Sequence, residues 1–369
     1  MPIEGELVVT LTVAGGRVAR AEARSDRPRI AGRLFDGRAA GEAEPLAGAL
    51  FAICGRAQSI AAATAVEQAL GRAASEPVRL ARETRLAAEA AQEHLGRLLV
   101  DWPRLAGLET AVKPYARARA LLSPLLASAP GATLPQAALD VNEWAQSAVF
   151  GVSPADFLSL DSVNGFANWV RGAGTSPASL ALAVLERHAR LGASDTAFLG
   201  TADASMVESL AAHLDADPAF DDAPHWQGQP RETGALARMA SHPLVADAVE
   251  TFGPGLAARL VARLLETAAA LGDLRTGRGS RHGGARHGDV GLGWAETARG
   301  LLVHRTRVEG DRLAGYRIVA PTEWNFHPEG AFVRGAAGLA DDGALEAAAH
   351  WIVGSLDPCV GVRCEVIRA

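Results

Sequence analysis

From Pro45 to about position 273, apolar residues recur at helical spacing and alanine is dense. A stretch of that length and period must bury its faces against itself, so it dictates a mainly helical core. The spacing predicts helices from Pro45 to about Ala74, then over 77–100, 109–127, 135–149, 176–192, 204–214, 231–250 and 254–273. Breakers such as "LASAPGATLP" separate them. On either side the period changes to two. "ELVVTLTVAGGRVARAEAR" alternates around Gly15-Gly16 and predicts a hairpin, and "WAETARGLLVHRTRVEGDRLAGYRIVAPT" predicts another turning near Gly310-Asp311. A last helix is expected over 341–354. The expected class is therefore α+β, a mainly helical core with short β hairpins near the N-terminus and before the C-terminus, in one domain spanning 1–369. Residues 275–293, "RTGRGSRHGGARHGDVGLG", read as a flexible loop. Its His282, His287, Arg278, Arg281 and Arg286 could bind metal or anions, but an exposed insert is the favoured reading.

Several function classes fall away on composition. The net charge is −6, without the basic excess of a nucleic-acid binder. The longest apolar runs, such as "LAGALFAIC", are the length of core segments rather than membrane spans. The opening "MPIEGELVV" lacks a basic region followed by an apolar run, so a cytoplasmic location is expected, with no membrane partner. Three cysteines are too few and too odd in number for a disulfide framework.

The cysteines still carry the most chemistry. Cys54, in "LFAICGRAQSIAAATAVEQAL", sits in or just before a long helix and reads either as a buried thiol or as a functional one. In "SLDPC", Pro358 restricts Asp357, and a Cys after a rigid turn at a helix end can present its sulfur in a fixed direction. The alternative is a packed thiol in a strand, since "CVGVRCEV" alternates. Cys359 and Cys364 are not spaced as a Cys-x-x-Cys pair, and no His-x-x-x-His helical pair exists, so zinc is disfavoured. "GLGWAETARG" lacks the dinucleotide spacing, and no Gly-x-Ser-x-Gly elbow is present.

Read together, six segments resemble the large subunit of nickel–iron hydrogenases, in that family's order. "IEGELVVTLTVAGGRVARAEA" is similar to its opening Arg-Ile-Glu-Gly-His and following strands. "ICGRAQSIAAATAVEQAL" is similar to Arg-Ile-Cys-Gly-x-Cys and its helix, and "ETGALAR" to Gly-Pro-Leu-Ala-Arg. "ETARGLLVH" and the downstream "PTEWN" resemble Glu-Ala-Pro-Arg-Gly-x-Leu-x-His and Pro-Thr-x-Trp-Asn. "SLDPC" resembles Asp-Pro-Cys-x-x-Cys-x-x-His. The departures are patterned. Each Cys pair keeps its first member, Cys54 or Cys359, and has Ala57 or Val362 in place of the second. Ala61 and Glu365 replace the two following histidines, and Glu6 stands where the opening has His.

The resemblance implies that a four-thiolate nickel site cannot form, so no nickel is expected and hydrogenase catalysis is disfavoured. It implies a place among the HupK/HoxV-type maturation proteins, degenerate paralogues of the large subunit. The implied role is a scaffold that assembles or holds the Fe(CN)2(CO) unit and delivers it to the apo large subunit. Cys54 and Cys359 are the implied metal ligands, soft thiolates suited to iron. Arg299 matches the Arg beside the iron's diatomic ligands, and Glu4 matches an acidic residue near the metal. Implied partners are the maturation chaperones, the complex that builds the iron unit, and the apo large subunit. Two other readings stay open: a metal-free structural mimic acting as a chaperone, and a single-iron enzyme. Cys364 is open as third ligand, exchange thiol or bystander, with bystander preferred.

Overall fold

The computed structural model describes residues 5–26, 31–277 and 279–368. Two antiparallel strands open the chain, β1 (Glu6–Ala14) and β2 (Arg17–Ser25), joined at Gly15-Gly16, both at positive φ as a tight hairpin turn requires. The last strand, β7 (Gly361–Arg368), lies beside β1 in parallel, so the sheet order is β2-β1-β7. Leu7, Val9 and Leu11 alternate into a small core with Phe332, Ile352 and Leu356, as a half-buried sheet demands.

A second sheet has the order β3-β4-β5-β6, all antiparallel: β3 (His282–His287), β4 (Val290–Thr297), β5 (Gly300–Glu309) and β6 (Arg312–Val319). The hairpin expected at Gly310 is the β5–β6 turn. The loop expected over 275–293 is not what forms: the tract supplies β3 and the start of β4. Its glycines serve packing. A Cβ on Gly291 would lie 2.0 Å from the Ala65 carbonyl oxygen, and one on Gly293 would lie 2.1 Å from that of Ala61. Two glycines at i and i+2 face one side of a strand, and they let the helix α1 (Gly55–Ala69) lie directly on β4. Ala61 and Ala65 of α1, one turn apart and both fully buried, meet those glycines from the other side.

Most of the rest is helical. The helix α2 (Glu76–Gly96) begins at Ser75 with Pro77 in its first turn, where a missing N–H costs nothing. It continues into a π-helical turn over Arg97–Asp101. The helix α3 (Leu256–Thr276), about 30 Å long, is buried along nearly its whole length and ends at Gly277 in the left-handed conformation. It carries Arg259, Arg263 and Glu266 into the interior, where each is paired: Arg259 with Glu232, Arg263 with Asp357, and Glu266 with Arg238 and His94. Unpaired, such charges would be prohibitive at that depth. The helix α4 (Leu345–Leu356) delivers the chain to the closing turn and β7.

Candidate metal centre

Three turns and one short helix converge between the two sheets. Cys54 ends a 3-10 turn (Ala52–Cys54) and heads α1, with only 7% of its surface exposed. The first-turn N–H groups of α1, which a helix leaves unpaired, are met from α2. Glu89 accepts the backbone N–H of Arg56 and of Ala57, both at 2.9 Å. Ala57, standing where the family has its second Cys, is fully buried. Gln58 places its side-chain nitrogen 3.7 Å from the Cys54 sulfur.

Cys359 arrives from the other end of the chain. The helix α4 stops at Leu356 because Asp357 adopts φ 56, left-handed, and Pro358 follows. This fixed turn aims the Cys359 side chain inward, 8% exposed. The Thr322 hydroxyl lies 3.2 Å from the Cys359 sulfur and accepts the Cys359 backbone N–H at 3.3 Å. Beyond it, Val362 enters β7 opposite Leu7.

Arg299 occupies the β4–β5 turn. The Thr297 hydroxyl accepts the N–H groups of Arg299 and Gly300, holding that turn closed. Asn325 then joins the two turns, donating to the Arg299 carbonyl at 3.2 Å and the Leu356 carbonyl at 3.3 Å. Its own oxygen accepts the Thr233 N–H at 2.9 Å. Thr322 and Asn325 both lie on the short helix Pro321–Asn325, so the "PTEWN" segment ties the Cys359 and Arg299 turns together.

The electrostatics reflect how close these groups stand. The Cys54 thiol is pushed up to about 12, first by burial, then by the neighbouring Cys359 and Glu89; Arg299 and the Gln58 hydrogen bond pull the other way. Burial also raises Glu89, to about 7. The Arg299 guanidinium is raised despite its burial, because Asp357, Glu93 and both thiols surround it. Its Nη2 donates to Glu93 at 2.8 Å, and its Nε stands 3.4 Å from Asp357 without hydrogen-bond alignment. Its Nη1 is buried and has no hydrogen-bond partner among the described residues. An orphaned, charged donor is costly to bury, by about 1–3 kcal/mol or more, and calls for an acceptor from outside the chain.

Asp357 is the pivot of the charges. Three arginines, Arg299, Arg97 and Arg263, hold its carboxyl far below the usual range although burial opposes them. Arg97 donates to it at 2.9 Å and Arg263 at 2.9 Å. The π-helical turn after α2 is what presents Arg97 to it.

Of the residues expected to form a site, Cys54, Cys359 and Arg299 are brought together. Glu4 lies outside the described residues. Cys364 is not part of the cluster: it sits in β7 opposite Val9, half-buried, with Glu346 and Glu365 as its charged neighbours. His282 is engaged with Glu83 at 2.7 Å, and His287 is exposed at the strand end near Glu208. Among the described residues no cluster of three or more Cys, His, Asp or Glu could hold a metal ion. Sequence reasoning missed Gln58, Glu89, Glu93, Thr322, Asn325 and Asp357. Thr322, Asn325 and Asp357 stand inside quoted motifs, where a buried polar residue beside a ligand was the available signal. Glu89 and Glu93 had only their i, i+4 spacing on α2.

From the Cys54 side a groove opens to solvent, bordered by Gly55, Arg56, Glu89, Glu93, Tyr115 and Arg119. On the far side of Arg299 lies a cavity with room for about one water, lined by Thr233, Arg259, Arg263 and Asn325.

This arrangement is carried on a known architecture. The nickel–iron–selenium hydrogenase of D. vulgaris Hildenborough superposes with a TM-score of 0.64 at 17% identity, over 94% of each chain. That of Desulfomicrobium baculatum gives 0.64 at 15% identity, over 97% of this chain and 98% of the other. The fold is therefore that of the nickel–iron hydrogenase large subunit. No family model matches the chain. Among curated proteins, the hydrogenase expression/formation protein HoxV of Cupriavidus necator is 34% identical over 92% of this chain and 91% of its own. HupK of Rhizobium leguminosarum bv. viciae, of the same description, is 32% identical over 99% of this chain and 97% of its own. The chain belongs to this HoxV/HupK family of hydrogenase expression/formation proteins.

Proposed function

We propose that this protein acts in hydrogenase maturation as a scaffold that holds the Fe(CN)2(CO) unit as cargo and passes it to the apo large subunit. The observation that carries the reading is the orphaned Arg299 Nη1 beside two convergent buried thiols. Cys54 and Cys359 are the soft donors for the iron. Arg299 supplies a charge-assisted N–H to a cyanide nitrogen, which satisfies a donor that the protein leaves unpaired. Iron binding displaces the thiol protons, and the positive metal offsets the burial that otherwise keeps Cys54 protonated.

Two protein thiolates in place of four suit release as well as capture. Ala57 and Val362 leave the iron without bridging sulfurs, so a large subunit with its full thiolate set offers the cargo more ligands. The groove beside Glu89 and Glu93 is the route by which a maturation chaperone or the iron-assembly complex reaches the site. No helix among the described residues is long and apolar enough to cross a membrane.

Infrared spectra of protein purified without oxygen, from a host carrying the hydrogenase maturation genes, test the reading. Wild type should show metal-bound carbonyl and cyanide bands, and Cys54→Ala and Cys359→Ala should each abolish them. A wild-type protein without bands, and with iron well below stoichiometry, would replace the scaffold with a metal-free mimic of the large subunit.

A further inference from the structure

A second line of buried polar groups ends on Cys54. Tyr316 on β6, His304 on β5 and Gln58 on α1 are all 2% exposed or less. The Tyr316 hydroxyl stands 2.8 Å from His304 Nδ1, and His304 Nε2 stands 2.8 Å from Gln58 Oε1. The Gln58 nitrogen, 3.7 Å from the Cys54 sulfur, closes the line. Phe35 stacks on the Tyr316 ring at 4.1 Å and holds that ring in place.

Donor and acceptor accounting gives this line one polarity. Among the described residues the Tyr316 hydroxyl has no hydrogen-bond partner except His304, so its proton must point to Nδ1 or be stranded in the interior. Burial drives the His304 ring down to about 3, so it is neutral and carries a single proton. With Nδ1 accepting, that proton is on Nε2 and is donated to Gln58 Oε1. The Gln58 amide is thereby oriented with its nitrogen towards the sulfur, to which it donates an N–H. The reverse polarity would make the S–H, a weak donor, drive the line and would leave the tyrosine proton unpaired.

We propose that Tyr316, His304 and Gln58 are positioning residues that form a polarised relay, delivering an N–H donor to the Cys54 sulfur and moderating its electron donation to a bound metal. The moderation of a metal rests on the scaffold reading above; the polarity of the relay does not. A hydrogen bond to a ligating sulfur withdraws density from it, which is how surroundings tune thiolate-bound iron. Tyr316 thus acts on the site through two intermediaries.

Two measurements decide it. In metal-free protein labelled with 15N-histidine, two-bond correlation spectra should show His304 as the Nε2–H tautomer, with Nδ1 unprotonated. In Tyr316→Phe the anchor is gone and the tautomers should mix. Finding the Nδ1–H tautomer in wild type would overturn the relay, and needs no variant to fold. In iron-loaded protein, Gln58→Met keeps the side-chain length but cannot donate. Its carbonyl band should move to lower wavenumber, because the sulfur then donates more, and Tyr316→Phe should move it the same way by less. A Gln58→Met band at the wild-type position would overturn the tuning. Wild-type protein with no iron bands would defeat the scaffold reading instead, and the tautomer would still decide the relay.

Discussion

Asp357 shows how much one residue can be asked to do. It ends α4 by adopting a left-handed conformation, it aims Cys359, and it compensates three guanidinium groups. Asparagine tolerates the same backbone conformation, so Asp357→Asn isolates the charge. Removing one partner from a buried ion cluster typically costs about 3–5 kcal/mol, and denaturant unfolding should show a loss of that order together with loss of iron. Arg299 presents the complementary case. Arg299→Lys preserves charge but not the flat fork that holds Glu93 with one nitrogen and, on the scaffold reading, offers another to the cargo. The variant should fold with near wild-type stability and retain much less iron, by metal analysis and infrared band intensity; full retention would remove Arg299 from the cargo site.

His94 gives the pH behaviour of the same buried network. It lies between Glu266 and Arg263, at 2.9 and 3.1 Å, and burial first, then the nearby arginines, hold it down to about 4 against the pull of Glu266. A histidine depressed in the folded state is protonated first in the unfolded chain. Its contribution is therefore complete above pH 6.5 and is lost as pH falls from 6.5 towards 4. Glu89, raised to about 7, works the other way, favouring the folded state as pH falls from 7 to 4.5. In His94→Gln, urea midpoints at pH 7 and pH 5 should therefore lie closer together or invert relative to wild type. An unchanged difference would show that His94 does not titrate as its surroundings require.

At the scale of elements, the contact that positions Cys54 is that of α1 on β4. The glycine spacing leaves no room for a methyl group at Gly293, where the helix backbone is the obstacle. Gly293→Ala should therefore cost several kcal/mol through overpacking, seen as a lowered Tm, and should displace the α1 end that carries Cys54, reducing iron retention as well. This contact also explains where the sequence misled. The terminal hairpin at Gly15-Gly16 and the turn at Gly310 were legible because alternation and turn residues are local signals. The helices over 112–126 and 204–216 were legible from their period. The tract 275–293 read as a loop because its glycines look like flexibility, whereas they are the imprint of a helix lying against a strand. Of the site, the two thiols and Arg299 were legible through resemblance in ordered motifs. Gln58 and His304 stand inside two of those motifs, but nothing in the chain joined them to each other or to Tyr316, since three residues on three elements share no sequence period. Nor could the chain reveal that "CVGVRCEV" pairs with β1, because parallel register over such a separation is set by tertiary packing.

The whole molecule is closed by that pairing. The strand β7 begins two residues after Cys359, and β1 receives it from Glu6 to Val13. Exposed ion pairs such as Glu6–Arg363 decorate the seam and contribute little; the ladder itself holds it. Val362→Pro puts a rigid ring at the pair Leu7–Val362, next to the closing turn, and disrupts the start of the ladder. Hydrogen exchange in β1 and β7 should then rise together, and iron retention should fall although no ligand has changed. Exchange confined to β7 would show that the seam does not anchor the site. The pairing is also parallel, with a mechanical meaning. Traction on the start of β1 and on the end of β7 acts along the strands in opposite senses, so every bond of the seam is loaded in shear at once. Antiparallel strands drawn from the same end would unzip bond by bond. The seam beside Cys359 is thus a clamp against stretching, and on the scaffold reading a protein taking cargo would enter from the groove side, away from this seam.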